Sequence, residues 1–216
     1  MIAVLDYGIG NLRSAEKALQ HVGADAGLVT DPDVAALADA VVLPGVGAFG
    51  ACASALRRSG LDEVVRHAVR RKVPLLAICI GFQLLFEGSE EDPGADGLGI
   101  LAGRVRRLPA TERLPQMQWN IVRPVMGRAS RLLGNGSPAG QDNGGDSWFY
   151  FVHSYAPVPD GDAETGVVGV CDYGGPVVAA METDSVFATQ FHPEKSGHNG
   201  LELLRRFASV CGEPTS

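Results

Sequence analysis

The sequence is poor in features that define several classes of protein. Its 216 residues include only four cysteines (Cys52, Cys79, Cys171 and Cys211), and no two of them form a Cys-x-x-Cys pair. This spacing argues against a disulfide framework and against a zinc site. No apolar run reaches the length of a membrane span, and no signal peptide is visible. We therefore expect a soluble, reduced, cytoplasmic protein.

Basic residues are also scarce. The chain has 18 Lys and Arg against 25 Asp and Glu, which gives a net charge of −7. This balance argues against a nucleic-acid-binding protein. The remaining composition, 45% hydrophobic and 20% charged, is ordinary for a globular chain. A chain of this length buries a sizeable core, so we expect one domain over residues 1–216.

Short apolar strands alternate with amphipathic helices in the first half of the chain. Strands are predicted at 2–5, 26–30, 40–43 and 73–78, and helices at 12–22, 49–58 and 61–72. This β-α-β alternation is typical of an α/β fold with a mostly parallel sheet. Further strands, predicted at 104–108, 117–123, 148–155, 167–172, 177–182 and 186–190, precede a closing helix at 199–210. The polar segment 134–147 is predicted to be a mobile surface loop.

Cys79 directly follows the predicted strand 73–78 and precedes a helix predicted at 82–87. A nucleophile on a sharp strand-to-helix turn needs small neighbours, and Ala77 and Gly81 meet that need. The start of a helix also favours a thiolate. A lone cysteine in an apolar strand, however, is more often part of the core.

Two other segments are predicted to end at the same edge of the sheet. His192-Pro193-Glu194 follows the last predicted strand, where a carboxylate can orient an imidazole in an extended segment. Pro44-Gly45-Val46-Gly47 follows the strand at 40–43 and can expose backbone N–H groups. Each segment alone could be a surface pair or a plain turn. Together with Cys79 they favour a cysteine nucleophile with a general base.

These motifs resemble the class I (triad) glutamine amidotransferases, and within them the glutaminase subunits of imidazole glycerol phosphate synthase in histidine biosynthesis. The resemblance covers about residues 1 to 210. It is carried by Asp6 to Asn11, Pro44 to Gly47, Cys79 to Phe86, Gly97 to Gly99, Trp119-Asn120, Tyr150 to Tyr155 and Gln190 to Ser196. The chain departs from it at Ala77 and Gln118, where the family commonly has glycine.

The resemblance implies a flavodoxin-like sheet and a glutaminase reaction on L-glutamine that needs no metal and no cofactor. Its catalytic residues would be Cys79, His192 and Glu194, with the N–H groups of Val46 and Ile80 as the oxyanion hole. The substrate pocket would comprise Gly47, Gln83, Glu91, Ser154 and Tyr155. A separate (β/α)8-barrel cyclase would complete a heterodimer and receive the ammonia. The family positions near that interface are Asn11, Trp119, Tyr150 and Lys195, which could equally be a helix cap, two half-buried aromatics and a surface lysine.

Three alternatives remain open from the sequence. The chain could serve another ammonia-using synthase, such as the pyridoxal phosphate or anthranilate systems, although the Phe-Val-His-Ser-Tyr segment at 151–155 argues against that. It could be an inactive module that only binds or regulates, against which the intact Cys79, His192 and Glu194 speak. It could also be a cysteine peptidase of related fold, but Gln83 favours a small amino-acid substrate.

Overall fold

The computed structural model of the chain describes residues 1–134 and 147–212. The strands are β1 (Ile2–Leu5), β2 (Ala26–Val29), β3 (Ala40–Leu43), β4 (Leu75–Ile78), β5 (Gly103–Arg107), β6 (Gln116–Pro124), β7 (Ser147–His153), β8 (Tyr155–Pro159), β9 (Val167–Asp172), β10 (Pro176–Glu182) and β11 (Val186–Thr189). The helices are α1 (Leu12–His21), α2 (Pro32–Ala35), α3 (Phe49–Arg58), α4 (Leu61–Arg70), α5 (Ile80–Leu84) and α6 (Gly197–Val210), with short 3-10 turns at Gly161–Gly166 and Pro193–Lys195. No helix in these ranges is long and apolar enough to cross a bilayer.

One large sheet organises the molecule and confirms the predicted α/β class. Its strand order is β2-β1-β3-β4-β11-β10-β9-β6-β7, while β5 and β8 form a separate antiparallel pair. The pairings from β2 to β11 are parallel, and those from β11 to β7 are antiparallel. Strands β1, β3, β4 and β11 are buried at every position. Such strands suit a parallel centre covered on both faces, which explains their unbroken apolar runs.

The register of the parallel half brings three loops to one edge. Ala77 of β4 lies opposite Leu43 of β3 and Ala188 of β11. The loop after β3, Cys79 after β4 and His192 after β11 therefore emerge side by side. Ala77 keeps this register unbroken on both sides, so its methyl group is accommodated in the buried sheet.

Most predicted elements agree with the structure to within two residues at each end, and two differ by more than that or by a break. The helix predicted at 82–87 begins at Ile80 and ends at Leu84. It ends there because the carbonyl groups at its C-terminus accept hydrogen bonds from the loop at 98–100: the N–H of Leu98 donates to Leu84 at 2.7 Å, and that of Ile100 to Leu85 at 2.8 Å. The strand predicted at 148–155 is broken at Ser154, which separates β7 in the large sheet from β8 in the small one. The predicted loop at 134–147 falls, except for its two ends, outside the described residues.

Candidate active site

Cys79 sits on a strained turn between β4 and α5. Its φ of 54° and ψ of −108° lie where side-chain-bearing residues are rare, and such a conformation costs about 1–3 kcal/mol. The backbone N–H of Cys79 donates to Thr189 of β11 at 2.8 Å, which anchors the turn to the sheet. The residue is 2% exposed. This is the geometry predicted for a nucleophile on a strand-to-helix turn.

The turn is possible only because two neighbouring residues lack a side chain. A Cβ atom at Gly81 would overlap the carbonyl oxygen of Leu43. A Cβ atom at Gly45 would lie 2.8 Å from the Gly81 nitrogen and 2.9 Å from the Tyr7 hydroxyl. The loop after β3 and the start of α5 thus pack backbone against backbone around Cys79.

His192 and Glu194 form a buried hydrogen-bonded pair. Imidazole Nδ1 lies 2.7 Å from the Glu194 Oε1, and the two side chains are 1% and 5% exposed. The segment is not extended as predicted, because a 3-10 turn begins at Pro193 and the Lys195 N–H donates to the His192 carbonyl. The turn still brings the imidazole and the carboxylate together. Since a carboxylate only accepts, Nδ1 carries the proton and Nε2 is left for other chemistry.

The charges around His192 favour its protonated form. Burial lowers the pKa of His192, but the Cys79 thiolate and the Glu194 carboxylate outweigh that effect and raise the pKa to about 10. Nε2 is buried and has no hydrogen-bond partner among the described residues. The imidazole is thus suited to accept the thiol proton and to pair, as imidazolium, with a thiolate.

The loop at 44–47 is held by three hydrogen bonds to consecutive carbonyl groups. The Tyr7 hydroxyl donates to Pro44 at 2.6 Å, the Ile80 N–H to Gly45 at 3.4 Å, and the Cys52 thiol to Val46 at 3.3 Å. Burial raises the pKa of Tyr7 well above its usual range and that of Cys52 to about 11, so both remain neutral donors. In this arrangement the Ile80 N–H, which was predicted to bind an oxyanion, donates to the Gly45 carbonyl instead.

A cavity of about 230 Å³ opens above Cys79 and collects the predicted residues. Its lining includes the predicted Cys79, His192, Val46, Gly47, Ile80, Gln83, Glu91, Ser154 and Tyr155, together with Pro115, Val152 and His153. Glu194 lies behind His192. Among residues 1–134 and 147–212, no three His, Cys, Asp or Glu side chains group closely enough to hold a metal ion.

Two predicted pocket residues are fixed by their hydrogen bonds. Gln83 is 1% exposed, and its Nε2 donates to the Tyr155 carbonyl at 2.9 Å and to Gln190 Oε1 at 3.1 Å. Its Oε1 is buried and unpartnered within the described part of the chain, so it can accept from an ammonium group. Glu91 Oε2 accepts from the Phe49 N–H at 2.8 Å, which ties the loop that carries Glu91 to the start of α3.

Two buried residues of the site were not predicted. His153 lines the cavity; its Nδ1 faces the Tyr155 carbonyl at 2.9 Å, and burial lowers its pKa to about 4. Gln190, fully buried, places its side-chain nitrogen 3.6 Å from the Cys79 sulfur. The alternation of buried Phe149, Phe151 and His153 along β7 is a signal that could have indicated the histidine.

An aromatic pair, with one exposed and one half-buried ring, lies on the antiparallel extension of the sheet. Trp119 of β6 stands opposite Tyr150 of β7, with ring centroids 6.2 Å apart in an edge-to-face arrangement, and Trp119 is 47% exposed. Lys195 and Asn11 are also exposed. Asn11 precedes α1, but its side chain makes no capping hydrogen bond there, so its interpretation as a helix cap was wrong.

Comparison with known proteins decides the family. The family model described as "Glutamine amidotransferase class-I" matches residues 3–210. The chain belongs to the class I glutamine amidotransferases. Solved structures share the fold: "Crystal structure of glutamine amidotransferase" superposes with a TM-score of 0.73 at 23% identity, covering 98% of this chain and 99% of that one. "Structure of PurLQS from Thermotoga maritima" gives 0.71 at 20% identity, covering 97% of each.

Relatives of higher sequence identity are found among curated sequences. A protein of Methanothermobacter thermautotrophicus, named "Imidazole glycerol phosphate synthase subunit HisH", is 44% identical over 97% of this chain and 98% of its own length. A protein of the same name from Acinetobacter baylyi is 46% identical over 95% of this chain and 96% of its own. This level of similarity extends over the elements that build the cavity.

Proposed function

We propose that this amidotransferase is the glutaminase subunit of an imidazole glycerol phosphate synthase. It hydrolyses L-glutamine to L-glutamate and ammonia. The ammonia passes to a (β/α)8-barrel cyclase on a separate chain, which forms imidazole glycerol phosphate and an aminoimidazole carboxamide ribonucleotide in histidine biosynthesis. The observation that carries the proposal is one cavity lined by Cys79 on its strained turn, by His192 and by the Gln83 acceptor.

The reaction proceeds through a thioester. The Cys79 thiolate attacks the side-chain amide carbon of glutamine after His192 has taken the thiol proton. The imidazolium then gives its proton to the departing ammonia, which leaves a γ-glutamyl thioester on Cys79. A water activated by His192 releases glutamate. Glu194 accepts the hydrogen bond from the Nδ1–H of His192 throughout. Acid–base catalysis by a positioned imidazole contributes about 10²- to 10⁴-fold.

We further propose that the isolated chain is nearly silent. The Ile80 N–H is engaged by the Gly45 carbonyl, so an oxyanion cannot use it in this arrangement. Rotation of the single peptide between Gly45 and Val46 would release that donor and turn the Val46 N–H towards the same space. One oxyanion-hole donor is worth about 10²- to 10³-fold in rate.

The aromatic pair is a suitable docking point for the cyclase. Trp119 covers Tyr150, and the Tyr150 carbonyl accepts the backbone N–H of His192 at 3.0 Å. The Ser196 hydroxyl donates to His192 and accepts from the Tyr150 N–H at 3.0 Å. A partner that binds Trp119, Tyr150, Lys195 and Asn11 therefore contacts the segment that carries the catalytic base.

The test is glutamate release by the wild type and by Cys79→Ala, each alone and with the cyclase and its nucleotide substrate. We expect release only from the wild type, stimulated at least about 10²-fold by the loaded cyclase, since an oxyanion-hole donor becomes available. Release that depends on Cys79 but ignores the cyclase would contradict the assigned partner and the silent state. No release under any condition would contradict the glutaminase itself.

A further inference from the structure

Gln190 is placed beside the nucleophile by the register of the sheet. Thr189 of β11 lies opposite Ile78 of β4, so the next residues, Gln190 and Cys79, emerge side by side. The Gln190 backbone N–H donates to Ala179 at 2.9 Å, which fixes the residue against β10. Its side chain is fully buried, and its Nε2 lies 3.6 Å from the Cys79 sulfur, within hydrogen-bond range for a sulfur acceptor.

The direction of the Gln190 amide follows from its other contact. Gln83 Nε2 can only donate, and it reaches both the Tyr155 carbonyl and Gln190 Oε1. The oxygen of Gln190 must therefore face Gln83, and its NH₂ group must face the sulfur. The hydrogen-bond network thus settles the amide orientation that distance alone would leave open.

We propose that Gln190 is a further catalytic residue, which donates a side-chain N–H to the Cys79 sulfur and stabilises the thiolate, with Gln83 as the positioning residue that orients it. This inference rests on the glutaminase chemistry proposed above. A donor to an ionised acceptor is stronger than one to a neutral group, so the bond favours thiolate over thiol. Gln83 Oε1 has no partner among the described residues and can accept from the substrate. The Gln83 side chain therefore links the substrate pocket, through Gln190, to the Cys79 sulfur.

Several titratable groups act on this sulfur. His192, Tyr7 and Cys52 interact with the charge of Cys79, and Glu194 acts through His192. The raised pKa values of Tyr7 and Cys52 leave both neutral near pH 7. The imidazolium and the Gln190 amide thus both favour the thiolate, and of these two side chains only the imidazolium titrates.

The test is the pH dependence of Cys79 alkylation by iodoacetamide in the full-length chain, followed by mass spectrometry of the Cys79 peptide. Gln190→Met removes the amide at similar size, and Gln190→Glu keeps an acceptor for Gln83 while placing a carboxylate oxygen at the sulfur. We expect Gln190→Met to slow alkylation at pH 7 at least about tenfold and to raise the midpoint of the profile by about one pH unit or more, as loss of a bond to a charged group implies. Gln190→Glu should raise the midpoint further.

Steady-state glutamate release with the cyclase gives a second measurement. In both Gln190 variants kcat should fall in proportion to the alkylation rate, while the KM for glutamine stays within about threefold.

Gln116→Met is the matched control, because Gln116 is another fully buried glutamine and acts on the Cys171 thiol instead of on Cys79. It should leave the midpoint unchanged. An unchanged midpoint in Gln190→Met and Gln190→Glu overturns the proposal, whatever happens to kcat, and so does a wild-type Cys79 that stays unmodified at every pH. A shifted midpoint in a chain that releases no glutamate even with the loaded cyclase supports the Gln190 bond and contradicts the proposed function instead.

Discussion

Replacing Glu194 by glutamine tests how the buried carboxylate supports His192. The two side chains are almost fully buried and joined at 2.7 Å, so the bond is little screened by water. A hydrogen bond to a charged group contributes about 1.5–3 kcal/mol, which corresponds to about 10- to 150-fold in rate at 1.36 kcal/mol per tenfold. We expect kcat to fall by that factor. The KM for glutamine should stay within about twofold, because Glu194 lies behind the imidazole and does not line the cavity.

The same substitution should change the pH profile in a defined direction. The Glu194 carboxylate is one of the groups that raise the pKa of His192 to about 10. Without it the imidazole loses its proton at lower pH, so the imidazolium that gives a proton to ammonia is lost earlier as pH rises. The alkaline limb of kcat/KM should therefore move to lower pH.

The assay is glutamate release in the presence of the loaded cyclase, recorded from pH 6 to 10. Glu63→Gln is the control, because Glu63 pairs with Arg66 at 3.6 Å on the surface, where such pairs contribute little. A Glu194→Gln variant with wild-type kcat and an unmoved alkaline limb would refute the role of this carboxylate.

Three further outcomes are expected. Gly81→Ala should lower the free energy of unfolding in urea by about 1–3 kcal/mol and remove activity, because the added methyl group meets the Leu43 carbonyl; an active, fully stable variant would contradict the packing described. His153→Asn should reduce the loss of stability on acidification, measured by urea unfolding at pH 4 to 7. The pKa of His153 is 6.5 in the unfolded chain and about 4 in the folded one, so between these values only the unfolded chain binds the proton, and the wild type loses up to about 3 kcal/mol of unfolding free energy as pH falls. An equal dependence of the unfolding free energy on pH in the variant and the wild type would contradict this effect of His153. Trp119→Ala should weaken cyclase binding in calorimetry at least about tenfold without lowering the melting temperature, and unchanged affinity would remove Trp119 from the interface.

Much of the fold could be predicted because its signals are local. The strands at 2–5 and 40–43 and the helix at 49–58 have the predicted bounds. Buried parallel strands are short apolar runs, and apolar residues recur every three to four positions in amphipathic helices. The helix after Cys79 could not be bounded in this way. Its end is set by hydrogen bonds from residues 98 and 100, and nothing in the local sequence encodes such a distant partner.

The candidate site shows the same division. Cys79 and His192 could be placed at one sheet edge because strand ends in a parallel sheet meet there. The contact of Glu194 with His192 was predicted for a different backbone, extended instead of the 3-10 turn found. The bond from Gln190 to the sulfur could not be predicted, because it depends on the exact register of β11 against β4.

The central claim is that glutamine is hydrolysed through a covalent bond to Cys79, and acid quenching followed by peptide mass spectrometry tests it most directly. The chain, with the cyclase and its nucleotide substrate, would be mixed with isotopically labelled glutamine and quenched during turnover. We expect a labelled γ-glutamyl group on the Cys79 peptide of the wild type and none on that of Cys79→Ala. Labelled glutamate released at full rate without that adduct, or an adduct on Cys52, Cys171 or Cys211 instead, would contradict it.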